Sequence, residues 1–549
     1  MTEQRSSEAA DSQGVPSPRS TSAAVWRWLR HAELESRGLT TAFWLAVAAF
    51  TAAFWVTPFP PCIDYPQHLA LGAILGRLLD SQAPEHALYE VSLLSYNGLF
   101  QVLVAGLSLV VRPEVAGKLL LSLVPLLTAV AGLALARVGR RPLWTAFFIL
   151  PFSYGHILGW GFVNYCLATP LALLVFTWWL RWQAGERGLL GRVIVGSLVV
   201  AYAHALVTVC LCISVALGFF GSSPPREIGL RRWLIRLAKA PLPVLPAVLY
   251  TALVFVHHRA QPNFFWAPAQ DGSDIPAWEK LRDFSTFAVG NLFDRSDELL
   301  FRGLCVVLLL LWLAPRFVST ASEARPRPEL VWLAVGWAAL YVLVPRWVVS
   351  TAYIFERIPI WLVAFAAAAV PLPGARLSSV ARNAAAGLGL LAGVNTLAHF
   401  ARIPGAKDAD AIIDDIPEGA RVVAVMHASD GAPAIWRRIW VHLVAYHLVR
   451  RPGEIAFSFT RYASLPVRYR QGRHPPWYAG GIEWYPSLYD PTAEYMGYFT
   501  TVLVKTPDAA PDADPRELTF GPYASGVRLL SRRGRYFLYD AEGIWGTER

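Results

Sequence analysis

The sequence predicts an α-helical polytopic membrane protein with about eleven transmembrane helices and a small α/β domain at its C-terminus. Of its 549 residues, 55% are hydrophobic and 16% are charged, whereas an average globular chain is about a quarter charged. Apolar runs recur between residues 39 and 400, each close to the roughly 20 residues that a bilayer-crossing helix requires. This pattern excludes collagen-like, disulfide-scaffold and wholly disordered proteins, and an outer-membrane barrel would need short alternating strands instead.

The distribution of charge gives the expected topology. The net charge is +10, but from residue 402 onward 18 basic side chains are balanced by 17 acidic ones, so the excess does not indicate nucleic-acid binding. The basic residues cluster between the apolar runs, and such clusters are typical of cytoplasmic loops. These clusters lie at 137–141, 181–192, 226–239, 316–327 and 376–382. If all five are cytoplasmic, the N-terminus lies inside and the C-terminus outside.

This placement leaves two regions of the topology open. The short apolar stretch 98–111 becomes an interfacial helix outside the membrane. The run 190–220 must turn back near His204 as two short helices, because a single long tilted helix would reverse the topology of everything downstream. The predicted spans are 39–57, 115–136, 142–158, 161–181, 191–204, 205–220, 240–257, 296–314, 329–345, 358–373 and 383–400.

The spans divide the chain into three regions. Residues 1–38 are expected to form a disordered cytoplasmic leader, because most of them are polar or small and offer little to bury. Residues 39–401 form the transmembrane domain, with external loops at 58–114 and 257–296. We therefore expect a multi-pass protein of the plasma (inner) membrane, with membrane lipids around it.

The third region, residues 402–549, is expected to be an extracytoplasmic α/β domain. An amphipathic helix is predicted at 435–450. It is flanked by strand-like runs at 421–426, 455–460, 500–505 and 536–539. All five cysteines precede this region, and their spacing provides neither a disulfide framework nor a zinc site.

The segment after the first span carries the strongest local signal. It reads TPFPPCIDYPQH from Thr57 to His68 and leads into an apolar helix. The prolines hold the chain extended, so Asp64 lies at the membrane surface, with His68 one helical turn later near the same face. A carboxylate beside the bilayer is costly and indicates function. Alternatively, Asp64 caps the helix, and one side chain is able to do both.

This arrangement resembles the GT-C superfamily, the integral-membrane glycosyltransferases that use polyprenyl-phosphate-linked sugars, such as protein mannosyltransferases and the aminoarabinose transferase of lipid A. The resemblance covers roughly residues 39–400 as a pattern of spans in which a large external loop opens with an aspartate. The chain is more similar still to bacterial membrane proteins that carry an Asp-Tyr-Pro-Xaa-His element and a Gly-Phe-Xaa-Asn-Tyr span, here at 64–68 and 161–165.

The resemblance implies an inverting glycosyltransferase on the external face of the membrane, which moves a sugar from a polyprenyl-phosphate donor to an envelope glycan, lipid or protein. Asp64 matches the family's loop aspartate and is the candidate catalytic base. Two departures stand out. Tyr65 follows Asp64 where many members have an acidic pair, and no second acidic residue lies between Ser153 and Asn164. No organic cofactor is implied.

The phosphate of the donor needs positive charge, which is scarce on the predicted external side. Arg346 and Arg357 flank a short external segment, and a guanidinium suits phosphate geometry. These two arginines are therefore candidates for substrate binding. Alternatively, Arg357 pairs with Asp294 or another acid, or either arginine extends to the lipid headgroups.

Three histidines and one asparagine complete the substrate-binding candidates: His68, His156, His204 and Asn164. His204 marks the predicted reversal between two short helices, where a buried ionisable residue indicates a site. A lone histidine is more often structural, and an asparagine in a span often joins helices. Asp64, His68 and His204 also form a possible set of metal ligands, although their spacing does not require one, and no metal is assigned.

Two other functions are open to this sequence. The first is a transporter or flippase of a lipid-linked saccharide, but such proteins often show repeated halves with broken helices at the midplane. No such repeat is visible here, and the ionisable residues gather at the external ends of spans. The second is a non-catalytic membrane scaffold. The sequence does not identify the sugar, the acceptor or the oligomeric state.

Overall fold

A bundle of apolar helices and a β-sheet near the C-terminus make up the protein. The computed structural model describes residues 35–222, 225–259, 275–317, 326–348, 351–372, 374–462, 464–476, 481–493 and 497–545. Residues 1–34 of the expected leader and residues 260–274 of the expected external loop lie outside the described residues.

The helices are numbered in chain order. In the first 400 residues they are α1 (Arg37–Ala53), α2 (Tyr65–Arg77), α3 (Leu99–Leu107), α4 (Pro113–Val138), α5 (Leu143–Gly159), α6 (Val163–Gln183), α7 (Leu190–Ala203), α8 (Ala205–Ser222), α9 (Pro225–Ile228), α10 (Leu230–Lys239), α11 (Leu245–Arg259), α12 (Ala277–Arg282), α13 (Phe284–Val289), α14 (Ser296–Leu313), α15 (Pro328–Leu343), α16 (Pro359–Ala369) and α17 (Ala375–Phe400). The first part of α5, Leu143–Tyr154, is a 3₁₀-helix.

Five of the described helices, α4, α6, α8, α14 and α17, are long and apolar enough to cross a membrane. Each of the eleven predicted spans coincides with a helix, but α5, α7 and α15 are shorter apolar helices. The count of eleven therefore stays a prediction. Helix α3 has nine residues, which extend about 14 Å at 1.5 Å per residue, so α3 is too short to cross a hydrocarbon core of roughly 30 Å.

The chain reverses direction at His204. This residue separates α7 from α8 with an extended backbone, at φ −164° and ψ 119°. Gly196 of α7 and Gly218 of α8 both pack against the same part of α6, at 175–179. The two helices therefore run along α6 in opposite directions, and the predicted turn near His204 is confirmed.

The C-terminal part contains a five-stranded sheet. Its strands are β2 (Arg421–Met426), β3 (Glu454–Ile455), β5 (Thr501–Lys505), β6 (Arg528–Arg533) and β7 (Tyr536–Asp540), in the order β3-β2-β5-β7-β6. Strand β2 is parallel to β3 and β5, whereas β7 is antiparallel to β5 and β6. The apolar central strands are buried on both faces, as is typical of parallel pairing. Helices α18 (Ala406–Asp414), α19 (Ala445–Arg450), α20 (Arg516–Phe520) and α21 (Glu542–Trp545) complete this part.

Two predicted elements of the C-terminal part are wrong in extent. The strand expected at 455–460 ends at Ile455, because the backbone of Phe457 and Phe459 bonds to the Gln67 side chain from α2 instead of to a strand. The helix expected at 435–450 is α19 alone. The preceding turns bond to the 291–293 segment, through Phe293 N to Ala434 O and Trp436 N to Asn291 O.

One face of the C-terminal sheet belongs to the same hydrophobic core as the helix bundle, while its other face packs into a second cluster that includes Val423, Val502 and Phe537. Strand β1 (Tyr89–Val91), which follows α2, pairs antiparallel with β4 (Val467–Tyr469). Arg437 also joins the two parts: its Nε donates to Asn291 Oδ1 at 3.0 Å, its Nη2 donates to Gly290 O at 3.0 Å, and its Nη2 lies 2.6 Å from His156 Nδ1. The guanidinium is 5.1 Å from the centre of the Trp160 ring.

We expect Arg437→Leu to lower the free energy of unfolding by about 3 kcal/mol, because it leaves several buried acceptors without a donor. Thermal unfolding in detergent, together with limited proteolysis between the two parts, measures this loss. The matched control is Arg438→Leu, since Arg438 is exposed and donates one hydrogen bond, to Trp484 O. Equal melting temperatures for the two variants would contradict the proposed contribution of Arg437.

Candidate functional site

A cavity of about 1180 Å³ brings together residues that are far apart in the sequence. Its polar wall contains Asp64, His68, His204 and Arg357. On one side the C-terminal part contributes Phe459, Tyr462, Ser464 and Leu465. The remaining wall is largely apolar and comes mainly from helices α8, α11 and α15 and from the residues between α15 and α16. Its apolar lining residues include Leu206, Val209, Ile213, Val248, Ala252 and Phe255.

The last residue of α5 and the residue after it hold the backbone around Asp64 by hydrogen bonds. The amide of Ile63 donates to Gly159 O at 3.0 Å, and the amide of Asp64 donates to Trp160 O at 3.0 Å. Gly161 lies against these residues with φ +89°, and a Cβ atom there would be 2.4 Å from Asp64 N. Only glycine fits this position without strain, which explains the glycine in the Gly-Phe-Xaa-Asn-Tyr element.

Asp64 occupies the N-cap position of α2, but its side chain makes no capping hydrogen bond. Its Oδ1 atom instead lies 3.5 Å from Nε2 of His442, a buried histidine of the C-terminal part. The carboxylate is therefore open to the cavity, which favours a functional interpretation over capping alone. Sequence reasoning missed His442, because nothing in its local sequence indicates a contact with a residue nearly 400 positions earlier.

Arg357 is a buried cation in the polar wall, with 6% of its surface exposed. Its guanidinium packs on the rings of Phe162 and Tyr165, at 4.6 and 5.2 Å from their centres. Among the described residues, no carboxylate lies within 4.0 Å of it. The expected alternative partner, Asp294, pairs with His399 instead, at 3.2 Å.

The contacts of His204 leave hydrogen-bond donors facing one another. The amide of Leu206 donates to His204 Nδ1 at 3.2 Å, while Arg357 Nη1 lies 3.2 Å from His204 Nε2. A neutral imidazole carries a proton on one of its nitrogens, so one of these contacts brings two donors together. This arrangement is suited to an anion that accepts from both.

His68 lines the cavity beside Asp64. Gln101 Nε2 lies 2.7 Å from His68 Nδ1, and Gln101 Oε1 in turn accepts from Asn164 Nδ2 at 3.0 Å. Burial lowers the pKa of His68 to about 4, so the ring is neutral near pH 7. Asn164 is not among the residues that line the cavity, and it is connected to the cavity through Gln101 and His68.

Two other candidates lie apart from the cavity. Arg346 forms an ion pair with Glu356, at 2.8 Å between Nε and Oε1, and stacks on Tyr353. His156 contacts Arg437 and accepts from Trp160 Nε1 at 3.2 Å. Neither residue is among those that line the cavity. Protein groups engage both side chains, the partly exposed guanidinium of Arg346 and the buried imidazole of His156.

The metal set considered from the sequence does not assemble. Asp64, His68 and His204 all line the cavity, yet no group of three histidine, cysteine, aspartate or glutamate residues is arranged to hold a metal ion in the part of the chain that the structure describes. The polar wall instead offers one carboxylate, neutral imidazoles and a guanidinium. This combination is able to accept a proton at one side and bind an anion at the other.

Comparison with known proteins identifies the fold. The structure is similar to a crystal structure of ArnT from Cupriavidus metallidurans bound to undecaprenyl phosphate, with a TM-score of 0.51 and 13% sequence identity. The similarity covers 92% of this chain and 98% of that one. No protein-family model matches the sequence, and no curated protein matches it either. The chain therefore shares the fold of that ArnT structure over most of its length.

We expect Gly161→Ala to disturb the site, because the new Cβ would collide with the backbone of Asp64 in a conformation that L-residues rarely adopt. The melting temperature in detergent should fall, by an amount that corresponds to about 2–3 kcal/mol. Gly387→Ala in α17 is the matched control, since a Cβ there meets no atom within 4 Å. If both variants melt with the wild type, the close approach at Gly161 does not hold Asp64.

Proposed function

We propose that this protein is an inverting glycosyltransferase that moves a sugar from a polyprenyl-phosphate donor to an envelope acceptor on the external face of the membrane. The proposal is carried by one observation. The carboxylate of Asp64 and the guanidinium of Arg357, which has no carboxylate partner among the described residues, open into the same cavity, and most of the rest of that cavity is apolar.

The walls of the cavity fit the parts of such a donor. The apolar surface of α8 and α11 accepts the prenyl chain, while Arg357 and His204 bind the phosphate. A phosphate oxygen between them accepts hydrogen bonds from both side chains and removes the contact between donors. Because Arg357 is buried, the attraction is stronger than it is in water, and a guanidinium bound to phosphate is among the stronger hydrogen-bonded pairs in proteins.

The reaction follows from this placement. The acceptor hydroxyl attacks the anomeric carbon and transfers its proton to Asp64. The bond from that carbon to the phosphate oxygen breaks, and its electron pair remains on the lipid phosphate, where Arg357 stabilises the charge. A single displacement inverts the anomeric centre. The leaving group is part of the donor, so the reaction requires no organic cofactor.

The similar structure supports this choice of donor. ArnT of Cupriavidus metallidurans was crystallised with undecaprenyl phosphate, and we extend that lipid class to the present chain. A flippase would use the same cavity, yet it has no need for a rigidly held carboxylate beside the phosphate site. Replacement of Asp64 therefore separates the two functions.

In a strain that lacks the gene, we expect a polyprenyl-phosphate sugar to accumulate, and mass spectrometry of the lipid extract identifies it. Asp64→Asn should be produced normally but fail to reverse the accumulation, because the amide is unable to accept the proton. Asp80→Asn is the control, since Asp80 is exposed beyond the end of α2 and is not a cavity residue. Full complementation by Asp64→Asn would exclude Asp64 as the base.

Arg357→Leu should weaken the binding of undecaprenyl phosphate about 10- to 100-fold, which corresponds to the loss of a hydrogen-bonded charge. Lipid titration followed by native mass spectrometry of the purified full-length protein measures this affinity. The control is Arg402→Gln, because Arg402 is exposed after α17 and is not among the residues that line the cavity. Unchanged affinity in Arg357→Leu would show that the lipid phosphate binds elsewhere.

A further inference from the structure

We propose that His442, in the C-terminal part of the chain, is a positioning residue for the carboxylate of Asp64. This inference rests on the proposed glycosyl transfer and adds a residue to its site that lies outside the helix bundle. Its consequence is that the C-terminal part contributes directly to the reaction, in addition to covering the cavity.

The position of the Asp64 carboxylate depends on its contact with His442. Nε2 of His442 lies 3.5 Å from Oδ1, and in the described part of the chain this is the ion pair that Asp64 makes. The side chain does not cap α2, so no backbone amide fixes it. A distance of 3.5 Å is long for a hydrogen bond, but catalytic hydrogen bonds in unliganded enzymes often shorten when substrate binds.

The imidazole of His442 has a well-defined seat, which is formed by the rings of Phe457, Phe459 and Trp484. It stacks face to face on Phe457, with ring centres 5.2 Å apart and an interplanar angle of 16°. The rings of Phe459 and Trp484 meet it edge-on, at 6.1 and 6.2 Å. With 3% of its side chain exposed, His442 has little freedom to turn away from the carboxylate.

This seat is attached to the helix that carries Asp64. Gln67 Nε2 donates to Phe457 O at 2.9 Å, and the amide of Phe459 donates to Gln67 Oε1 at 3.1 Å. Gln67 is three residues from Asp64 along α2 and is itself buried. The two hydrogen bonds of Gln67 fix the distance between the aromatic seat of His442 and the Asp64 carboxylate, although the seat and the carboxylate belong to distant segments.

The physical role of His442 follows from this geometry. An N–H group of the imidazole directed at Oδ1 holds the carboxylate in one orientation and leaves the other oxygen to receive the proton of the acceptor. His442 therefore acts through Asp64 and does not touch the reacting atoms. Asp64 and His68 are the titratable groups that face the imidazole from α2, and Phe457, Phe459 and Trp484 surround it within the C-terminal part.

The test uses the purified full-length protein and, as donor, the polyprenyl-phosphate sugar that accumulates in the strain without the gene. Formation of the lipid phosphate is followed over a series of donor concentrations, so that kcat and KM are obtained separately. His442→Phe should still fill the space between the surrounding aromatic rings but lower kcat at least about 10-fold, with KM changed less than about two-fold.

Two further variants separate positioning from folding. His442→Gln retains an N–H donor of similar reach and should restore most of kcat. His427→Phe is the matched control, since His427 lies in the same part of the chain and contacts the Thr519 hydroxyl at 3.1 Å. It should leave both kcat and KM unchanged.

The outcomes are distinguishable from failure of the proposed function. If Asp64→Asn is inactive while His442→Phe has wild-type kcat and KM, the positioning role is overturned and the transferase is retained. If Asp64→Asn remains active, the proposed function itself fails. A loss of kcat in His442→Phe that His442→Gln does not restore would also overturn the positioning role.

Discussion

The arrangement of the site depends on a buried positive charge in largely apolar surroundings. Removal of a guanidinium from water costs several kcal/mol unless partners replace the solvent. Arg357 has two aromatic faces and the carbonyl oxygen of Ala352, at 3.4 Å, but no carboxylate within 4.0 Å among the described residues. The fold thus maintains a cation that an anionic ligand would stabilise further, and the helices around it determine which anions have access.

Four segments must meet for this site to form. The proline-rich segment before α2 contributes Asp64, and the break between α7 and α8 contributes His204. The 3₁₀-turn Phe355–Arg357 contributes the cation, and the C-terminal part contributes His442. Strand pairing between β1 and β4 and the bonds of Gln67 join the last of these to the loop. The C-terminal part is consequently a wall of the cavity and shares the core of the bundle.

Local patterns in the sequence predicted those features that local forces determine. The prolines before Asp64, the spacing from Asp64 to His68 and the polar break at His204 were sufficient to place three residues of the polar wall. The different positions of Arg346 and Arg357 were not accessible, since both flank the same short segment and only tertiary packing pairs Arg346 with Glu356 and leaves Arg357 in the cavity wall. His156 was a reasonable candidate, but its imidazole contacts Arg437, a residue nearly 300 positions later in the sequence. His442 was missed because its contact, too, joins distant segments. The late start of the helix expected at 435–450 was missed as well, since the preceding turns bond to residues 291–293.

The most direct test of the central claim is a cryo-EM structure of the full-length protein with undecaprenyl phosphate. The account predicts phosphate density within about 3 Å of the Arg357 guanidinium and of His204 Nε2, with the prenyl chain along α8 and α11 and Asp64 facing the phosphate across the cavity. Phosphate density bound to another group of residues, with Arg357 still packed on Phe162 and Tyr165 and no anion beside it, would contradict the account.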